Sequence, residues 1–158
     1  MSAGKIVAGS IVAIAVIFGA FVWFTQIYAY YEEVPAEGIV IRLTPLGDGS
    51  EPEAMLAEDI EAIDADSSPL RFRACFQTTE SLALLTESYI IFDEAVPLVA
   101  PGWFDCFDAM AIGEALETGE AIAFMGEKNI SDGIDRVVAV FPDGRAFAWH
   151  QLNEKFAD

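Results

Sequence analysis

The chain has 158 residues (17.1 kDa) and sets 8 Lys plus Arg against 26 Asp plus Glu, a formal net charge of −18. At 54% hydrophobic residues it is no disordered acidic tail, and a pI near 4.1 excludes the cationic face that nucleic-acid binding needs. Its length fits one domain, and a single His with two Cys is such thin material for a metal or catalytic cluster that no metal, cofactor or enzymatic activity is expected.

Residues 6–24 form a run without a charge. As a helix the run extends about 28 Å at 1.5 Å per residue, against a hydrocarbon core of about 30 Å. Trp23, Tyr28, Tyr30 and Tyr31 gather at its C-terminal end, where amphipathic rings suit the membrane interface. A buried core helix is the alternative, but the run is apolar on all faces and lies at the N-terminal end of the sequence, which suits a membrane span better. It is longer than the apolar region of a cleaved signal peptide and ends in bulky residues with no small-x-small site. An uncleaved signal-anchor helix over residues 6–28 is therefore expected, with membrane lipid as its first partner. Gly9, Ser10, Ala13 and Gly19 offer small surfaces to other helices. Lys5 precedes the span, and seven basic and 26 acidic side chains follow it, a net of −19. Positive charge stays cytoplasmic, so residues 1–5 are expected to be a cytoplasmic tail and the rest to lie outside, in the periplasm if the chain is bacterial.

Residues 29–38, with the polar run EEVPAEG, read as a short connector that holds the domain near the membrane. Its charge keeps the domain from lying flat on anionic headgroups, which act within a Debye length of about 8 Å. Residues 39–158 read as an acidic domain. Residues 39–43 (IVIRL) are expected as a strand and 45–52 as a loop. Residues 53–63 read as an acidic helix, with Met55, Leu56, Ile60 and Ile63 on a partial apolar face. A turn over 64–69 follows. Residues 70–76 (LRFRACF) alternate as a strand whose wetter face carries Arg71, Arg73 and Cys75. A short helix is expected over 78–86, a strand over 89–92, a helix over 107–117 ended by Gly119, and a strand over 121–125. Residues 134–141 and 145–152 flank Pro142-Asp143-Gly144, the pattern of a β-hairpin. Strands and helices without βαβ alternation make the fold class α+β: one transmembrane helix, then a small domain with a mainly antiparallel sheet and one or two packed helices.

Cys75 and Cys106 lie beyond the span, in an oxidising compartment where two cysteines commonly pair. A bridge would tie the strand at 70–76 to the entry of the helix at 107–117 and add about 3.5 kcal/mol in the chain-entropy model. No C-x-x-C marks a redox pair, and no zinc-type spacing joins them to His150. His150 is expected on the second hairpin strand, sharing a face with Ala148 and opposite Phe147 and Trp149. It is the one group expected to titrate near neutrality. No G-x-S-x-G surrounds a serine, so it reads as a structural or surface histidine and not a triad member. The run from Asp64 to Ser68 resembles the start of a calcium loop, but Pro69 and Cys75 stand where Gly and Glu are needed.

Arg71 and Arg73 are the only tight basic pair of the domain. They are expected to pair with the acidic segment before them, with an anion or partner-carboxylate site as the functional alternative. Residues 97–104 (PLVAPGWF) form an apolar, Pro-braced loop. If exposed, Trp103 and Phe104 are protein-contact anchors; if not, they belong to the core. The candidate interaction residues are thus Arg71, Arg73, Trp103, Phe104 and His150.

The segments IDADSSPLRFRACF (63–76), APGWFDCFDAMAIG (100–113) and GIDRVVAVFPDGRAFAWHQLN (133–153), behind the N-terminal span, resemble an uncharacterised family of small single-pass membrane proteins from alphaproteobacteria. Its members are often labelled "histidine kinase". The resemblance implies a bacterial inner-membrane protein with a periplasmic domain and no catalytic residue. The kinase label fits poorly: there is no Gly-rich nucleotide loop, Lys128 and Lys155 sit in no phosphate-binding motif, and His150 is placed away from cytoplasmic ATP.

The expected function is that of a non-enzymatic accessory or interaction protein. Its acidic domain would dock on an integral membrane complex, or steer a basic periplasmic partner such as a cationic cytochrome c. A respiratory complex would accommodate both. The alternative is a small-ligand-binding or sensor module, which would need a partner helix for any output.

Overall fold

A computed structural model describes residues 2–156. Helix α1 (Ala3–Phe24) continues through a π-helical turn over Thr25–Ala29. The 27 residues have a mean hydropathy of 2.5 in their most apolar window, and none of that window is buried. Ile, Val and Phe are exposed along its whole length. The helix is long and apolar enough to span a membrane.

Strand β1 (Glu32–Glu33) follows Tyr31 directly and pairs antiparallel with β4 (Glu58–Asp64), and the Val34 amide extends that pairing to the Ala62 carbonyl. The segment expected to be a connector is therefore in part an edge strand, because Val34 reaches the core while its acidic neighbours stay wet. A small ribbon, β2 (Arg42–Leu43) with β3 (Glu53–Ala54), lies apart from the main sheet. Then come β5 (Arg73–Gln77), α2 (Leu82–Ser88), α3 (Ala109–Thr118), β6 (Ile122–Ser131), β7 (Ile134–Val140) and β8 (Arg145–Leu152). The six-stranded sheet runs β1-β4-β5-β8-β7-β6, with every pairing antiparallel. The architecture is α+β with a mainly antiparallel sheet, as expected.

The hairpin β7–β8 is the best-marked element. Phe141 donates its amide to Arg145, Gly144 donates to Phe141, and Gly144 sits at φ 88°. A Cβ on Gly144 would lie 2.6 Å from the Thr78 carbonyl oxygen. A second hairpin, β6–β7, turns at Asp132-Gly133 with Gly133 at φ 74°. Strand β6 is thus twice the length expected. Residues 89–92 run extended beside β6 through single bridges and amide bonds, such as Phe92 to Ala123, and not as a full strand.

The helix expected over 53–63 is instead the strands β3 and β4. The register of β4 against β5 shifts between Glu58 and Glu61, and Asp59 takes φ 50°. That bulge breaks the period-two alternation that would have marked a strand, and pairing on both sides outweighs local helix propensity. The two α-helices of the domain carry side-chain caps. Ser81 accepts from the Leu84 amide, Asp108 accepts from those of Met110 and Ala111, and Gly119 closes α3 in the left-handed conformation.

The sheet is buried on both faces. On one, Ala62, Ala74, Phe76, Val138, Ala146 and Ala148 pack under β2–β3 and α2. On the other, Cys75, Val137, Ala139, Phe147 and Trp149 meet α3 and the loop before it. The face of β5 expected to be wetter is therefore interior. Cys75 and Cys106 form the expected disulfide, with Cα atoms 6.3 Å apart and a sequence separation of 31, and it ties the central sheet to the approach of α3.

Candidate functional site

The last carbonyls of a helix have no partner within it. Here one partner comes from the domain: the Trp103 indole N–H donates to the Ile27 carbonyl at 2.7 Å. Tyr31 meets the Trp103 ring edge-on at 6.4 Å. The Arg71 guanidinium lies over Tyr30 and Tyr31 at 5.6 and 5.2 Å. Its Nη1 is buried without a hydrogen-bond partner among the described residues. Arg71 and Trp103, from distant parts of the chain, thus converge on the residues that leave α1. The result is a joint between helix and domain.

The loop that carries Trp103 is held from beneath. Arg73 is 3% exposed. Its Nε donates to Leu98 at 2.8 Å and its Nη2 to Val99 at 3.3 Å, while Nη1 donates to Leu70 and Phe72 at 2.7 and 2.6 Å. Burial lowers its pKa, an effect opposed by Tyr31 and Asp64. Gln151 accepts from the Val96 amide at 2.9 Å and donates to the Glu94 carbonyl at 3.0 Å. Arg73 therefore binds backbone carbonyls, where internal pairing with the acidic segment or an external anion was expected. Alternation along LRFRACF gives its face but not the loop that covers it. Phe104 is buried among Phe107, Trp149 and their neighbours. Of the two aromatic candidates, then, one is core and the other is engaged with α1.

His150 lies elsewhere, on the opposite face of the sheet. Its ring stacks on Phe72 at 4.8 Å. Nδ1 is 2.6 Å from the Pro69 carbonyl, and Nε2 is 3.1 Å from Arg136 Nε, which can only donate. That assigns the neutral ring with its proton on Nδ1. Arg136 in turn lies over Phe72 at 4.3 Å and pairs with Glu127, which also meets Arg42. Burial above all, and the charges of Arg136 and Arg73, push the histidine's pKa down to about 4. The expectation that it titrates near neutrality is corrected accordingly: both ring nitrogens are engaged, and the ring is a structural element. Arg136, Glu127 and Arg42 were not anticipated. The one signal for Arg136 was a charge within the apolar run IDRVVAV.

Among the described residues, no three His, Cys, Asp or Glu side chains group as metal ligands. A cleft of about 890 Å³ runs between α3 and the segment after Ile91, lined by Met110, Glu114, Glu117, Asp93 and Val96. A smaller one of about 420 Å³ lies beside the pinned loop, among Leu70, Phe92, Val96, Leu98 and Leu152, with Asp135, Gln151 and Asn153 also lining it. The arrangement suits contact and anchoring. Residues 41–158 match the model of DUF6446, described as a family of unknown function. This agrees with the resemblance as to an uncharacterised family, and carries neither a source nor a kinase activity. No curated protein and no solved structure matches the chain.

Proposed function

Because the chain belongs to DUF6446, a family of unknown function, we propose a role from its own residues: a non-enzymatic accessory protein that presents an acidic domain at a membrane. The observation that carries this reading is the joint, in which Trp103 bonds the end of the apolar helix at Ile27. A domain fastened to its anchor in this way is presented at a set height and orientation. The charge beyond the helix supports a basic partner, and the exposed apolar helix supports a membrane-embedded one. Lys5 before the span and the acidic domain after it favour the domain outside a bacterial inner membrane, and the disulfide between Cys75 and Cys106 suits that oxidising side. A respiratory complex is one setting that offers both an integral partner and a basic soluble one.

The test is native co-purification of the full chain in mild detergent, at low and high salt. A stoichiometric membrane complex that survives salt supports an accessory subunit. A basic soluble protein lost at high salt supports electrostatic steering. A second reading, a ligand-binding module, draws on the two clefts, of about 890 and 420 Å³. A saturable rise in melting temperature with a small ligand would favour it.

A further inference from the structure

Residues 95–104 (AVPLVAPGWF) form a segment without a charge in an otherwise acidic domain. Their apolar side chains are in part turned outward, with Val96 60% and Val99 76% exposed. Three of the loop's polar backbone groups are met by buried side chains of the domain. Buried Arg73 takes the carbonyls of Leu98 and Val99, and Gln151 takes the amide of Val96. Pro97 and Pro101 have no N–H to satisfy. A loop in water needs no such provision, since water serves its backbone. A loop facing lipid draws more on it, because less water is there to serve an unpaired peptide group. The loop's position points the same way. Counting about 20 residues of helix across the hydrocarbon core from Ile6 reaches Thr25, so Ile27, and Trp103 bonded to it, lie at headgroup level, where Trp is favoured.

We propose that the loop 95–104, met at Trp103 by Tyr31, inserts its apolar side chains into the interfacial layer of the bilayer that α1 crosses. The domain then rests on lipid at this loop, and the acids on its margins, Asp93, Glu94 and Asp105, set the limit of insertion. The inference rests on the reading of α1 as a membrane span, and its test separates the two.

Spin labels are placed on the full chain in phosphatidylcholine nanodiscs at Val99→Cys, Phe18→Cys and Asp143→Cys. Both native cysteines are bridged, so only the new thiol reacts, and all three positions are exposed. Accessibility to oxygen and to a water-soluble nickel chelate gives depth. The expected result is Phe18 deep in lipid, Asp143 in water, and Val99 at the interface with a severalfold lower nickel accessibility than Asp143. Val99 as wet as Asp143 while Phe18 remains in lipid overturns the insertion and leaves the span standing. Phe18 in water overturns both.

Discussion

His150 is held in its neutral form by the Pro69 carbonyl on one nitrogen, Arg136 on the other and Phe72 beneath. Its pKa of about 4 lies below the ordinary 6.5. Between those values the unfolded chain binds a proton that the folded domain refuses. Stability is therefore complete above pH 6.5 and falls as the pH drops toward 4, by up to about 3 kcal/mol. Half-buried Asp64, whose pKa is raised by desolvation, works in the opposite sense above pH 3.8, so the upper part of the window reports the histidine most cleanly. Melting temperature against pH should show the slope, and His150→Gln should flatten it. A slope that persists in the variant would assign it to other groups. Trp103→Phe keeps the ring and loses the bond to Ile27, about 1 kcal/mol. Hydrogen exchange over residues 28–34 should quicken about fivefold at a nearly unchanged domain melting temperature. At this scale the sequence was partly legible. Alternation along AFAWHQL puts His150 opposite Trp149, as found. It could not show that Arg73 would be buried and Arg136 half-buried, because what covers a strand face comes from segments far along the chain.

Two elements carry most of the remaining stability predictions. Cutting the link from β5 to the approach of α3 with Cys75→Ser and Cys106→Ser together should cost about 3.5 kcal/mol, read as a fall in melting temperature. Gly144→Ala places a Cβ 2.6 Å from the Thr78 carbonyl oxygen at a φ of 88°. A loss of about 2 kcal/mol is expected there, from strain and a displaced turn, and denaturant midpoints would measure it. Elements with local signatures were readable: the Asp-Gly turn of β7–β8, Gly119 ending α3, and the apolar run of α1. A second Asp-Gly, at Asp132-Gly133, carried the same signal for the β6–β7 hairpin and would have doubled the length given to β6. The segment 53–63 was opaque, because the bulge at Asp59 hides its alternation and its acids favour a helix in isolation. Residues 32–34 were opaque for another reason. Two glutamates and a valine become a strand only because β4 lies beside them.

Taken whole, the molecule is an apolar helix with an acidic domain fastened to its end. If charge steers a basic partner, the association rate should fall steeply with salt, whereas an integral partner should be insensitive to it. The joint matters here beyond anchorage. A domain on a slack tether samples every bearing, and its faces are equivalent to any neighbour in the bilayer. Fastened at Trp103 and clasped by Arg71 over Tyr30 and Tyr31, this domain would turn with its helix like a vane on its shaft. A neighbouring helix that grips one side of α1 would thereby choose which side of the domain faces outward, some tens of residues away from any point it touches.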